Sequence, residues 1–302
     1  DRTRTELNPL ADMLQDWKQW GAKLLPERFR KDRIVIPVVR LSGVIGAVSP
    51  LRAGMTLGAV APQLARAFAM KRAPVVAILI NSPGGSPVQS HLIFKRIRAL
   101  AAEHQKEVIV AVEDVAASGG YMIALSGDVV IADQSSIVGS IGVISAGFGF
   151  EKLIEKIGVE RRVYTAGESK AMLDPFKPEK ESDIQHLKSL QRDVHDMFIE
   201  LVRSRRGERL ADDPTLFSGA FWSGTRGLEL GLVDRIGDLR SYLRGRFGDT
   251  MRMALIAPKR GVLARFGGGG AGGLASAAIA ANMMEGALST LEERAYWSRF
   301  GL

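Results

Sequence analysis

Residues 107–124 read EVIVAVEDVAASGGYMIA. The first seven, 107–113, form an almost unbroken apolar, β-branched run, the composition of a strand buried on both faces. The chain then passes through AASGGYMIA (116–124), where Ser118, Gly119 and Gly120 lead into a segment read as a helix over 118–126. A strand that runs through a glycine turn into a helix is one step of a βαβ unit. The same step occurs just upstream: PVVAILI (74–80) reads as a strand, NSPGGSPV (81–88) as a glycine-rich turn, and 86–103 as a helix.

Outward from these two steps the alternation continues. RIVIPVV (33–39), DVVIA (128–132), RRVYTA (161–166) and MRMALIA (251–257) are further strand candidates. Segments 57–70, 180–206 and 225–231 carry helical patterns. The rhythm predicts an α/β fold with a parallel sheet and right-handed crossovers, occupying residues 32–257. Residues 1–31 read as an N-terminal extension with an amphipathic helix at 7–25, its apolar stripe made by Leu10, Met13, Leu14, Trp17 and Leu24. Trp17 and Trp20 beside Lys18 and Lys23 suit a membrane interface; docking on the protein itself or on a sister subunit is the competing reading. Residues 258–302 read as a glycine-rich linker, with GGGGAGG, followed by a helix at 274–297. Both extensions are expected to lie outside the core and to serve assembly or membrane contact.

Composition narrows the chemistry. The 302 residues are 46% hydrophobic and 25% charged, ordinary for a globular protein with ample core. With no cysteine there is no disulfide, thiolate ligand or cysteine nucleophile. The four histidines, His91, His104, His186 and His195, do not fall in metal-ligand spacing, so no metal is expected. The net charge of +8 is concentrated in 240–265, where seven Lys and Arg residues stand against Asp249 alone. Such a patch suits anionic lipid or a plain solvated surface; no nucleic-acid motif accompanies it. No segment reads as a transmembrane helix, since the uncharged stretch from Phe266 to Met284 is mostly small residues. The chain opens on Asp1 rather than Met, leaving room for an anchor or leader upstream.

The two glycine turns carry the chemistry. On neighbouring parallel strands they would set one backbone N–H from each near a common point, an oxyanion hole beside Ser118. Taken singly, the first is as readily a tight turn, and the second is better read as Ser118 capping a helix. A serine nucleophile needs a base, and no histidine lies between His104 and His186. Lysine serves if burial keeps it neutral. Lys170, in AGESKAMLDPF (166–176), has Ala171, Met172, Leu173 and Phe176 around it.

The stretches NSPGG (81–85), VEDVAASGGYMIA (112–124), SSIVGSIGVI (135–144), RVYTAGESKAMLDPF (162–176) and GLELGLVDRIGDL (227–239) together resemble the signal peptide peptidase A family of Ser–Lys peptidases, in its short form with a single catalytic domain. The resemblance spans about Ile34 to Leu239. It implies a crotonase/Clp-protease-like βαβ superhelix and a homo-oligomeric ring. It makes Ser118 the nucleophile and Lys170 the base. Gly85 and Gly119 become the oxyanion-hole donors, with Gly84 shaping the turn, and Ser140 orients the lysine amine. It implies no cofactor, hydrophobic peptide substrates such as cleaved signal peptides, sites built where neighbouring subunits meet, and a bacterial, membrane-associated setting. Family members usually carry a transmembrane anchor, and no segment here reads as one.

Three other readings compete. A crotonase-type enzyme acting on an acyl-CoA would use the same oxyanion hole with a carboxylate base, for which Glu113 and Asp114 stand nearby. A Clp-type Ser–His–Asp peptidase lacks its histidine in the required stretch. A non-catalytic ring scaffold would not need Ser118 and Lys170.

Overall fold

Strand β5 (Glu107–Ala117) buries side chains on both faces, and the molecule is arranged around it. The computed structural model describes residues 33–49, 52–258 and 294–302. The helix expected at 7–25 and most of the helix expected at 274–297 lie outside the described residues.

The sheet runs β10-β1-β4-β5-β6-β9. Its members are β1 (Val35–Ser42), β4 (Val75–Ser82), β5, β6 (Val129–Ala132), β9 (Arg235–Ile236) and β10 (Arg252–Leu255), and every neighbouring pair is parallel. Three crossovers follow from the sequence order: α1 (Leu57–Phe68) returns the chain to β4, α2 (Pro87–His104) to β5 and α3 (Gly119–Ala124) to β6. A small antiparallel pair, β2 (Ala47–Ser49) and β3 (Arg52–Ala53), precedes α1. This is the α/β fold with a parallel sheet and helical crossovers that the sequence predicts.

Local chemistry fixes where the crossover helices start. Thr56 caps α1 by accepting the Ala59 N–H, and Ser86 caps α2 by accepting the Gln89 N–H, with Pro87 in the first turn, where its missing donor costs nothing. Even-numbered β5 residues Val108, Val110, Val112 and Ala116 face a core shared with α1, α2, α3 and the long helix α5 (Glu181–Arg206). Odd-numbered Ile109 and Ala111 face Leu239 and Leu243 of α7 (Leu239–Phe247). Burial on both faces is why these strands read as continuous apolar runs.

Strand β5 changes partner along its length. Ile109–Val112 pair with β6, whereas Val115–Ala117 pair with β7 (Ile137–Gly139). Strand β8 (Phe221–Ser223) then adds antiparallel to β7 and leads into α6 (Gly224–Glu229). Residues 294–302, expected outside the core, return to it at this corner. Phe300 is buried against Val115 and Ala117, with Ile137 and Trp297 packed beside it, and meets Phe221 edge-on at 5.0 Å.

Residues 144–180 leave the core as an arm. Its short helix α4 (Glu151–Lys156) buries no residue, and Ile144, Phe148, Leu153, Ile157, Val159 and Tyr164 are exposed. The strand expected at 161–166 is absent; the segment joins no ladder. Among the described residues no strand pairs with it, and its Arg161 instead pairs with Asp174 and lies 4.6 Å over the Phe176 ring. Among the described residues, no helix is long and apolar enough to cross a membrane.

Candidate active site

Ser118 joins the end of β5 to α3 with φ 52° and ψ −121°, a conformation that L-residues rarely hold. The surroundings impose it: the Ser118 N–H donates to the Gly139 carbonyl at 2.8 Å, and its own carbonyl accepts the Met122 N–H at 3.0 Å. The hydroxyl caps nothing in α3. A serine kept here merely to cap the helix would bond the first-turn N–H groups, so the capping reading is set aside.

The turn after β4 lies directly against it. Gly84, at φ 109°, has so little space that an added Cβ would stand 2.9 Å from the Ser118 Cβ, 3.0 Å from the Ala117 oxygen and 3.1 Å from the Gly119 nitrogen. The proximity expected of the two glycine turns is therefore present. Gly85, at φ 135°, is pressed on the Ile45 carbonyl, where a Cβ would come within 2.1 Å. The Ile45 N–H donates to Gly84 and the Ile45 carbonyl accepts from Ser86, both at 2.8 Å. In that parallel bridge the N–H of Gly85 itself is turned away from Ile45. Gly84's own N–H donates to the Ser82 hydroxyl at 3.2 Å.

Ser140 sits beside Ser118 by register. Ala117 pairs with Gly139 on parallel strands, so the next residues are Ser118 and Ser140. Ser140 is buried, takes φ 53°, and donates its N–H to the Ala220 carbonyl at 2.7 Å. Lys170 lies exposed on a turn of the arm, where its backbone N–H donates to the Gly167 carbonyl at 3.2 Å.

Three of the four histidines have partners other than Ser118, and His186 lies exposed on α5. His195 meets the Ile141 carbonyl at 3.1 Å, His104 stacks on Phe68, and His91 stacks on Phe94. Burial, and then Lys95, lower the His91 pKa. Among the described residues no cluster of three His, Asp or Glu is arranged to hold a metal. The carboxylates required by the acyl-CoA reading are also occupied: Glu113 pairs with Arg40 at 2.8 Å, and Asp114 accepts from the Asn81 amide at 2.6 Å. Asp114 stands four residues before Ser118, roughly 13 Å along an extended strand.

The sequence profile of peptidase family S49 matches residues 101–244. A candidate protease of Synechocystis sp., slr0021, is 32% identical over 208 residues, which is 66% of this chain and 73% of that protein. The chain belongs to peptidase family S49. It is thereby a member of the signal peptide peptidase A family, a family of serine peptidases. The chloroplastic serine protease SPPA of Arabidopsis thaliana is 31% identical over 237 residues, covering 74% of this chain and 34% of that one. A Brucella abortus protein named Na(+)/H(+) antiporter NhaA is 57% identical over 285 residues, 93% of this chain. The chain spans about two-fifths of that relative's length. Among solved structures, a lysine-to-alanine mutant of the 1510-N membrane-bound stomatin-specific protease, in complex with a substrate peptide, aligns at 16% identity and a TM-score of 0.47, covering 76% of this chain and 94% of that one.

Sequence reasoning did not single out Ser82, Ser90 or Ile45, which brace the glycine turns. The available signal for Ser90 was its place one helical turn after the cap Ser86, on the buried face of α2.

Proposed function

We propose that this S49 peptidase is an endopeptidase in which Ser118 attacks the substrate carbonyl and Lys170 of a neighbouring subunit is the base. The observation that carries the reading is the contact of the two glycine turns around Ser118, held at φ 52° with its hydroxyl released from capping. The Lys170 amine accepts the Ser118 proton as the Oγ–C bond forms. Gly85 and Gly119 N–H groups receive the oxyanion, a stabilisation worth ~10²–10³ in kcat for each donor. As the C–N bond breaks, the Lys170 ammonium returns the proton to the leaving amine. Water then repeats the sequence on the acyl-enzyme, again giving its proton to Lys170. Ser140, adjacent to Ser118 by register, would hydrogen-bond the amine and orient it. All of these groups belong to the protein, and no cofactor is called for.

The exposure of Lys170 supports a shared site. Alone, the chain leaves the amine in water and the apolar arm uncovered, and an exposed apolar surface of this kind marks an interface. A head-to-tail ring of copies would cover it and bring the arm to the next Ser118. The apolar arm also favours extended hydrophobic peptides as substrates, cleaved signal peptides among them. A relative that carries the same domain within a chain named as an antiporter supports work beside a membrane. The test is hydrolysis of an apolar fluorogenic peptide by the full chain. Activity is expected to vanish in Ser118→Ala and Lys170→Ala and to persist, within about threefold, when all four histidines are replaced. Loss of activity in the histidine-free protein, with its assembly intact, would exclude the Ser–Lys pair.

A further inference from the structure

The two donors proposed above come from different crossovers, one from the turn after β4 and one from the start of α3. A single side chain reaches the residue that follows the first donor and the α-carbon of the second. Ser90, fully buried on α2, donates its hydroxyl to the Ser86 carbonyl at 2.8 Å. That carbonyl also accepts the Ser90 N–H at 3.0 Å. The same Ser90 Oγ lies 2.3 Å from where a Cβ on Gly119 would stand, so it rests against the Gly119 α-carbon. Ser86 is the residue after Gly85, and its own N–H is fixed on Ile45. A buried hydroxyl in a helix interior is not there for helix propensity, which favours alanine. Alanine at position 90 would release one bond to Ser86 and leave a gap beneath Gly119.

We propose that Ser90 is a positioning residue for the oxyanion hole, setting the separation of the Gly85 and Gly119 N–H groups. This rests on the Ser118 reading above. Donor separation matters most when the carbonyl oxygen has become a tetrahedral oxyanion, so the effect falls on the transition state and not on substrate binding.

The experiment compares the full-length wild type, Ser90→Ala and a control, Ser126→Ala, which removes another buried serine hydroxyl away from the site. Active sites are titrated with a fluorophosphonate, and rates are expressed per labelled Ser118, so any unfolded fraction drops out. The readouts are kcat and KM for an apolar peptide and the affinity of the matching peptide aldehyde, which forms a hemiacetal with Ser118. Ser90→Ala is expected to lower kcat about tenfold or more, to hold KM within about twofold, and to weaken aldehyde binding in proportion to kcat/KM. Ser126→Ala is expected to leave all three unchanged per site. If Ser90→Ala keeps wild-type kcat and aldehyde affinity, or loses activity through KM alone, Ser90 has no positioning role. If wild-type protein is labelled at a residue other than Ser118, the underlying assignment fails, and the Ser90 proposal with it.

Discussion

Gly85 has room for no side chain. Its φ of 135° is strained for any L-residue, and a Cβ would stand 2.1 Å from the Ile45 oxygen. Gly85→Ala must therefore shift the turn that carries a proposed donor. Its kcat is expected to fall by ~10² or more, measured on protein shown by circular dichroism to be folded. A different residue sets acid stability. Asp234 accepts two hydrogen bonds from Arg206, at 3.0 Å each, and one from the Val130 N–H at 2.7 Å. Burial opposes its charge, but these bonds outweigh it and hold the carboxyl below the usual carboxylate range. A depressed carboxylate pKa contributes stability that is fully present above its unfolded value, near ~4. That stability is lost as pH falls through the lower folded value. Asp234→Asn leaves Arg206, itself buried, short of its countercharge, which costs about 3–5 kcal/mol at neutral pH. In denaturant titrations from pH 7 to pH 3 the gap between wild type and Asp234→Asn is expected to narrow as the wild type acidifies. A constant gap would contradict the assigned linkage.

At the scale of elements, β5 shows what the sequence disclosed and what it withheld. Its first seven residues stand out as an apolar run because both faces are buried. Ser118 and the glycine turns were legible because tight strand-to-helix turns need particular residues. Strands β7, β8 and β9 were not, because two or three residues cannot establish a period and their pairing is set by distant partners. RRVYTA carries the local composition of a strand but has no partner strand among the described residues. The corner formed by β5, β7 and residues 294–302 was also hidden, because its contacts join positions far apart in sequence. Phe300→Ala is expected to loosen that corner by about 3 kcal/mol. Hydrogen exchange should then quicken at the Val115–Ala117 amides ahead of the rest of β5. Unchanged protection there would mean that Phe300 does not hold the strand.

For the whole molecule, the telling observation is that Lys170 lies exposed on the arm, which fits the proposal that neighbouring copies complete each site. The residues around Lys170 name the base, and the expectation that it faces a neighbouring subunit's serine comes from its apolar loop together with the family resemblance. If neighbouring copies complete each site, activity should fall on dilution below the assembly constant. Replacing exposed Phe148 and Tyr164 on the arm by serine should shift the protein towards smaller species in analytical ultracentrifugation and lower activity in parallel. Mixing inactive Ser118→Ala with inactive Lys170→Ala should restore part of the activity, because some interfaces then pair an intact serine with an intact lysine. No recovery in rings shown to be mixed would put the pair within one chain. The most direct measurement is mass-spectrometric location of the adduct left by a serine-reactive acylating inhibitor. The account predicts one modified peptide, carrying the label on Ser118 in the wild type and losing it in Lys170→Ala. A label on any other residue, or undiminished labelling of Ser118 without Lys170, would contradict it.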